Sequence, residues 1–571
     1  MKPARRLPLA CCHLALLALC AALSGGYSAA ASDAPEGASE IPRLPTRLVV
    51  TCWGAAGRVS GSLHVLDTGN GRWMIDCGAF FPDGEGADAQ HEADQLSAAL
   101  PDDAARVGAL LLTHAHADHS GRVPLLVNAG FRGPIFATQP TIQLLEPMLG
   151  NAVRFDRQQM RTWVWSKRSR ARVQSTGRKM AVHWRDCHYA QSIAKHNFAT
   201  ATGTAEELEA MLRRSEPPVA PTLCRACVPT EVEAILTQAR PVEYGVPIPL
   251  APGVRAGLLD AGHIPGSASV VVEVQLEGRR RRVLFSGDLG SDLSAVTAGP
   301  RPAPNVDAVF VEATYGTTRR DPEVAHQRRQ FRQRVGEAVA RGGVVWIPCF
   351  ALDRTQRILY ELRLAQDEGL LPDSIPIYCP SPTANEVTAL YRKHHRAGWF
   401  REEVAARADP FSPHEILTTV PSPARLPRPS IIISTSDITY TDWMRRMLRA
   451  LLPEPSTAMM LVGYSDPHAA TGRLKAGARE LAIDGKPTPV AAEVHSFGCF
   501  SGHGDATDID RWLSHIHPSA PILLIHGGPE ELKTRAAQLR EGGRRNVHVP
   551  VYGKRIDLME LMRDGRQVSS D

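Results

Sequence analysis

The sequence predicts an α/β fold, because short apolar strands alternate with amphipathic helical segments along most of its 571 residues. Two hairpins come early: one pair of strands flanks Gly69-Asn70-Gly71, and a longer pair flanks Glu277-Gly278. A short apolar strand over residues 109–112 ends directly at a cluster of histidines. The chain is far longer than one typical domain, so we expect two or more compact units.

The alternation continues through the second half of the chain, without a repeat of fixed period. We expect helices at 322–341, 353–367, 384–395 and 508–516, and strands at 344–348, 375–378, 431–434, 459–462 and 521–525. A hydrophobic fraction of 43% with 22% charged residues argues against global disorder. The net charge of +5 is mild for this length and does not by itself imply a nucleic-acid partner.

The strongest chemical signal is the segment Thr113-His114-Ala115-His116-Ala117-Asp118-His119. Neutral imidazoles and carboxylates are nitrogen and oxygen ligands that suit zinc. Four such ligands within six residues exceed what one four-coordinate ion needs from one loop, so two ions sharing the loop is the economical interpretation. A solitary histidine is usually an ordinary core or surface residue, whereas this run after a buried strand predicts a metal site.

Further ligands should come from the ends of other strands. Five more histidine or aspartate residues follow apolar runs and lie at or near a glycine: Asp76, His263, Asp288, His503 and His526. Each signal alone is weak, since glycine turns after strands are common. Together with the histidine cluster they form a strong set.

These motifs resemble the metallo-β-lactamase superfamily, and specifically its β-CASP branch of nucleic-acid nucleases. The resemblance runs from Leu48 to about Leu558 and implies an αββα sandwich with an inserted α/β domain, the β-CASP domain. It rests on the histidine cluster and on further segments at 54–57, 261–269, 310–316, 347–352, 381–382, 434–436, 463–464, 500–505 and 524–528. It implies a lactamase-type domain at 46–316 and 496–571, a basic insertion in it at about 154–229, and a β-CASP domain at 317–495.

The resemblance also assigns roles to the site residues. It implies one zinc ion held by His114, His116 and His263, a second held by Asp118, His119 and His526, and Asp288 bridging both. Asp76 would orient a ligand through a hydrogen bond, and Glu312 would steady His503, the candidate general acid. The implied catalytic residues are therefore His503, Glu312, Asp118 and Asp76.

The histidine at position 526 is the sharpest substrate clue. In the family it marks the RNA-cleaving members, which include the pre-mRNA 3′-end nuclease and ribonuclease J, whereas DNA-repair members carry an aliphatic residue there. The resemblance thus implies a zinc-dependent endoribonuclease that acts on single-stranded RNA and leaves 5′-phosphate and 3′-hydroxyl ends. An exported hydrolase of the same fold with a non-nucleic-acid substrate is the alternative, and a homodimer is left open. A non-catalytic RNA-binding relative is disfavoured, because every metal and acid position is filled.

The first residues are typical of a secretory signal. Lys2, Arg5 and Arg6 precede an apolar run over 7–23, and small residues follow at 28–31. Residues 1–31 are therefore predicted to be a signal peptide of an exported protein, with no stable membrane span. If the start codon is misassigned, the protein is cytoplasmic.

The basic insertion carries eleven basic residues between Arg154 and Lys195 against Asp156 and Asp186. Arginines interleaved with tryptophans suit an RNA backbone and its bases, and a solvated helical insertion is the alternative. Cys187, Cys224 and Cys227 fit an extra zinc site, a disulfide or uncommitted thiols. Pro380 and Asp437 depart from the family pattern in the substrate-facing insert, so the RNA target stays open.

Overall fold

The computed structural model describes residues 43–82, 87–156, 161–166, 180–183, 198–203, 221–223, 227–320, 323–413, 415–435, 438–439, 441–463, 467 and 469–567. The predicted signal peptide, most of the basic insertion, Cys187, Cys224 and Asp437 lie outside these residues. Everything below concerns the unit Leu44–Asp571. Among the described helices, none is both long enough and apolar enough to cross a bilayer.

Two seven-stranded sheets face each other. In spatial order the first contains Ala239–Pro241, Ile135–Ala137, Ala109–Leu111, Arg72–Ile75, His64–Asp67, Val49–Cys52 and Arg555–Asp557. The second contains Ile248–Ala251, Val254–Asp260, Ala268–Leu276, Arg279–Phe285, Ala308–Glu312, Ile522–Ile525 and Val547–His548. Leu66 and Ile75 of the first sheet share one buried core with Val270, Phe285 and Phe310 of the second. Burial of these facing apolar side chains holds the two sheets together.

Helices cover the outer face of each sheet. Leu110 of the first sheet packs with Leu126 and Leu144 of its helices, and Leu524 of the second packs with Trp512 and Leu532. The helices beside the first sheet are Ala87–Ser97, Ala117–Ser120, Val123–Asn128, Gln139–Asp156 and Cys227–Gln238, with a 3₁₀ turn at Ala104–Arg106. Those beside the second are Ala506–Leu513 and Pro529–Glu541, and Leu558–Gln567 packs at the edge of the central core. The layers are therefore helix, sheet, sheet, helix.

A third sheet comes from a single excursion of the chain. Strands Ala308–Glu312 and Ile522–Ile525 are parallel neighbours in the second sheet, yet more than two hundred residues separate them. That excursion forms a sheet in the order Ile416–Leu417, Ile377–Tyr378, Ser430–Thr435, Val344–Cys349, Ala458–Leu461 and Glu493–Ser496. All five pairings are parallel, and buried cores line both faces. We call this part the inserted domain.

The inserted domain is doubly wound, as parallel sheets covered on both faces usually are. Its helices are Val324–Ala340, Arg354–Asp367, Pro382–His394, Glu402–Ala405, Asp442–Leu451 and Ala470–Lys475. It also contains the hairpin Glu480–Ile483 with Lys486–Pro489 and 3₁₀ turns at Pro423–Arg425 and Gly498–Phe500. The predicted αββα sandwich with an inserted α/β domain is confirmed.

Between Arg161 and Leu223 the described parts of the basic insertion are strands, while its two ends belong to the helices Gln139–Asp156 and Cys227–Gln238. Phe198–Gly203, Arg161–Ser166, Met180–His183 and Pro221–Leu223 form a four-stranded sheet in that order. The alternative of a helical insertion is therefore wrong for these parts. These strands are rich in Thr, Val and Trp, and β-branched and aromatic side chains favour a strand over a helix.

Candidate metal centre

Strand ends from both sheets converge on one point. His114 follows strand Ala109–Leu111, and the short helix Ala117–Ser120 then carries Asp118 and His119. In the second sheet, Asp288 and His526 follow strands that run parallel to the one ending at Glu312. Because parallel strands end at the same edge of a sheet, the side chains of Asp288, Glu312 and His526 meet there.

Four side chains form the first donor group: His114, His116, His263 and Asp288. Nδ1 of His116 lies 3.1 Å from Nε2 of His114 and 3.2 Å from Nε2 of His263. Oδ2 of Asp288 lies 3.5 Å from Nε2 of His114 and 3.6 Å from Nε2 of His263. The four donor atoms are thus close enough to share one ion.

The second donor group comprises Asp118, His119, His526 and, again, Asp288. Nε2 of His119 lies 3.0 Å from Nε2 of His526 and 3.1 Å from Oδ1 of Asp288. Oδ2 of Asp118 is 3.5 Å from Nε2 of His526. Asp288 therefore presents one oxygen to each group, and the structure brings together all seven residues for which the sequence predicts metal binding.

Hydrogen bonds fix the orientation of the two imidazole rings in the second group, those of His119 and His526. Asp76 is buried, and its Oδ2 lies 2.7 Å from Nδ1 of His119 while its two oxygens also accept from Thr113. Oγ1 of Thr314 lies 2.9 Å from Nδ1 of His526 and donates to the carbonyl of His526. With Nδ1–H as the donor in both contacts, the neutral form of each ring carries its lone pair on Nε2.

The donor set fits a pair of cations. Two lone pairs only 3.0 Å apart, on His119 and His526, repel each other unless a proton or a metal ion lies between them. Oδ1 of Asp288 is buried and makes no hydrogen bond of good geometry. Each group offers imidazole nitrogen with carboxylate oxygen, the combination that zinc accepts. These residues therefore could hold two ions with Asp288 between them.

The electrostatics of the two groups differ. Burial lowers the pKa of His114 and of His263 well below the usual histidine value, and neighbouring imidazoles lower it further. Burial also acts on His119, but the charges of Asp288 and Asp76 outweigh it and raise its pKa. Burial acts to raise the pKa of Asp288, but the charges of four histidines hold it well below its usual range: His119, His526, His503 and His114. Asp288 is thus an ionised carboxylate at the centre of the site.

A third cluster lies beside the shared carboxylate. Nε2 of His503 is 3.8 Å from Oδ2 of Asp288, and its Nδ1 is 3.0 Å from Oε1 of Glu312. Glu312 is fully buried and also accepts from the backbone N–H groups of Leu289 and Thr314. Burial lowers the pKa of His503, but the charges of Glu312 and Asp288 outweigh it and the net shift is upward. Nε2 of His503 therefore faces the donor groups in surroundings that favour the protonated imidazole.

The sequence analysis missed several residues around this site. Nη1 of Arg320 donates to the carbonyl of His503 at 2.6 Å, and its guanidinium stacks over Tyr315. His64 is buried, and burial lowers its pKa to about 3. A cavity of about 10 Å³ lies between His64, His119 and His526. His64 sits at a buried strand position, which was a usable signal, whereas nothing in the sequence marked Arg320.

Comparison with known proteins agrees with this architecture. Three family descriptions match: "Metallo-beta-lactamase superfamily" over residues 56–133, "Beta-Casp domain" over 355–474 and "Zn-dependent metallo-hydrolase RNA specificity domain" over 487–550. The chain is 30% identical over 489 residues to "Ribonuclease TTHA0252" of Thermus thermophilus, covering 84% of this chain and 93% of that protein.

Two proteins of Methanocaldococcus jannaschii are also similar. "Transcription termination factor FttA" is 22% identical, over 88% of this chain and 70% of that protein. "RNase J-like protein" is 24% identical, over 88% of this chain and 97% of that protein. With the three family matches and a relative aligned over almost its whole length, the chain belongs to the β-CASP family of the metallo-β-lactamase superfamily.

Proposed function

We propose that this protein is a binuclear zinc-dependent phosphodiesterase that cleaves RNA at internal positions. The observation that carries the proposal is the pair of donor groups sharing Asp288, with His503 placed 3.8 Å from that carboxylate. A site with two cation positions and an adjacent proton donor suits the hydrolysis of a phosphodiester.

The first ion would be held by His114, His116 and His263 and the second by Asp118, His119 and His526, with Asp288 between them. Bound zinc would supply Lewis acidity, which makes water a nucleophile near neutral pH and stabilises negative charge on a phosphate. Asp76 and Thr314 keep the ligand rings in the tautomer that turns Nε2 to the site.

His503 acts as the general acid. Glu312 holds its Nδ1–H, so the second proton of the imidazolium is on Nε2, which faces the shared carboxylate. When the bond between phosphorus and the 3′-oxygen breaks, that proton passes to the 3′-oxygen. A water molecule forms the new bond to phosphorus and releases one proton to solvent, which balances the proton that His503 gives up. The products are a 3′-hydroxyl and a 5′-phosphate.

RNA is the substrate we propose because of the relatives and the histidine at position 526. The match to an RNA specificity domain covers residues 487–550 and so contains both His503 and His526. Relatives named ribonuclease and transcription termination factor align over most of this chain. Internal cleavage follows the resemblance to the pre-mRNA 3′-end nuclease.

A circular single-stranded RNA tests both the substrate and the mode of cleavage, because it has no ends. The zinc-loaded protein should linearise it and leave a 5′-phosphate. His503→Ala should keep two zinc ions but lose about 10²–10⁴-fold in rate, the usual contribution of a general acid. His517→Ala is the matched control, since His517 is exposed and its imidazole hydrogen-bonds to nearby Ser519, away from the candidate metal centre.

Wild-type protein with two bound zinc ions that leaves linear and circular RNA intact would contradict the proposal. Cleavage of linear RNA alone would retain the ribonuclease but overturn the internal mode. Cleavage by His503→Ala at the wild-type rate would remove the general-acid role.

A further inference from the structure

An arginine of the inserted domain reaches the backbone of a candidate metal ligand. Arg357 lies in helix Arg354–Asp367 and is only 5% exposed. Its Nη2 donates to the carbonyl oxygen of His263 at 3.0 Å, and its Nη1 donates to Oγ of Ser294 at 2.7 Å. A buried charge in such a place is costly unless its hydrogen bonds are satisfied, so the contact is specific.

The guanidinium is held from its other side by the inserted domain. Nε of Arg357 pairs with the carboxylate of Asp353, which also accepts from the hydroxyl of buried Tyr391 at 3.1 Å. Asp353 has a φ of +67°, a backbone conformation that costs a non-glycine residue about 1–3 kcal/mol. Such a conformation persists only where the surrounding contacts determine it, which indicates that the position of Arg357 is closely fixed.

The same guanidinium holds the residue before His263 indirectly. Nη2 of Arg357 also donates to Oγ1 of Thr297 at 3.3 Å, and Thr297 in turn donates to the carbonyl of Gly262 at 3.0 Å. Two consecutive carbonyls, those of Gly262 and His263, are therefore tied to one side chain. The imidazole of His263 is aimed at the first donor group by the backbone that these bonds fix.

We propose that Arg357 is a positioning residue that sets the affinity of the first metal position by fixing the backbone of His263. The inference rests on the proposed metal centre but not on its substrate. Partners that orient a ligand from outside are typically worth about 10- to 100-fold in metal affinity. The position of the inserted domain relative to this loop therefore affects the geometry of the first metal position.

Arg401 provides a matched control. It is also an arginine of the inserted domain, and it contacts the same loop, residues 292–297, as Arg357 does. It donates to the carbonyls of Thr297 and Asp292 at 2.9 and 2.6 Å. Neither bond involves His263 or Gly262. Loss of Arg401 removes a domain contact of similar kind while leaving the carbonyl of the candidate ligand in place.

The test is zinc affinity of the full-length chain without RNA, measured by competition with a fluorescent chelator. In a His526→Ala background the second group is broken, so the remaining ion reports the first. There, Arg357→Ala should weaken zinc binding about 10- to 100-fold, Arg357→Lys less, and Arg401→Ala least, because Arg401 contacts Thr297 but not His263. In a His119→Ala background, which also breaks only the second group, the same ranking should be found.

Unchanged zinc affinity in Arg357→Ala, or an equal loss in Arg401→Ala, would overturn the positioning role. If Arg357→Ala does not fold, Arg357→Lys carries the same comparison, because it keeps a charge beside Asp353 but loses the planar fork. Wild-type protein that binds fewer than two zinc ions would instead contradict the proposed metal centre.

Discussion

At the scale of single residues, Glu312 has the clearest expected effect on chemistry. Its buried carboxylate accepts from Nδ1 of His503 and raises the pKa of that imidazole. The protonated imidazole is the working form of the proposed general acid, so we expect activity to fall as the pH rises through its pKa. Removing the negative charge lowers that pKa, so this loss of activity should begin at a lower pH.

Glu312→Gln should therefore shift the alkaline limb of log kcat/KM to lower pH, as measured on an RNA substrate. The variant should also lose roughly 1–3 kcal/mol of stability, because one amide hydrogen would face a backbone N–H. Glu361→Gln is the control: Glu361 is equally buried but pairs with Arg328 and Arg332. An alkaline limb that stays at the wild-type pH in Glu312→Gln would contradict the role of Glu312.

Residue types and spacing predicted a metal site and its candidate ligands, and the family resemblance added their division into two groups and the orienting contacts of Asp76 and Glu312. The other contacts that orient the site were not predicted. His114 to His119 are close in sequence, so their convergence could be inferred locally. Arg320 and Arg357 act through main-chain carbonyls, and such contacts leave no mark on residue type. Thr314 was part of a recognised segment, but its bond to His526 joins residues 212 positions apart.

At the scale of elements, the strands were predicted well because their hydrophobic pattern and turns are local. The hairpin around Glu277-Gly278 pairs Ala268–Leu276 with Arg279–Phe285, as predicted. Both turn residues have positive φ, 52° and 72°, which suits a tight hairpin turn. The sheet in the basic insertion was not predicted, since scattered arginines hid the strand pattern.

We propose domain boundaries near residues 316 and 495.

Close approach of two loops makes one glycine indispensable to the candidate metal centre. A Cβ atom on Gly78 would lie 1.5 Å from the carbonyl oxygen of Asp118 and 2.6 Å from the backbone nitrogen of His119. Both contacts are with backbone, which cannot rotate away. Gly78→Ala should therefore displace helix Ala117–Ser120 and the ligands on it.

Overpacking typically lowers the free energy of unfolding by about 1–3 kcal/mol, and Gly78→Ala should reach or exceed the upper end of that range. The variant should also lose bound zinc. Thermal unfolding and zinc content per chain measure the two effects. Gly257→Ala is the control, because nothing lies within 4 Å of the added Cβ, and its effect should stay within about 0.5 kcal/mol. Two zinc ions retained in Gly78→Ala at wild-type stability would show that the loop can move.

At the scale of the whole molecule, the two sheets of the sandwich meet through the candidate metal centre. His114 and His116 lie in the loop after a strand of the first sheet and His119 in the short helix that follows, whereas Asp288 and His526 follow strands of the second sheet. Bound ions would therefore crosslink the two sheets of the sandwich. The inserted domain is instead held together by its own cores on either face of its six-stranded sheet. Metal removal should act mainly on the sandwich.

Binding to the folded state alone stabilises it by about 2.7 kcal/mol at a free ligand concentration 100-fold above Kd. Chelation of zinc should thus lower the unfolding temperature of the full chain. Hydrogen exchange should rise most at the sandwich strands Ala109–Leu111 and Arg279–Phe285 and least at Ser430–Thr435 of the inserted domain. His526→Ala, with one donor group broken, should respond less to the chelator. An unfolding temperature that chelation leaves unchanged would mean that the donor groups do not hold metal in the folded protein.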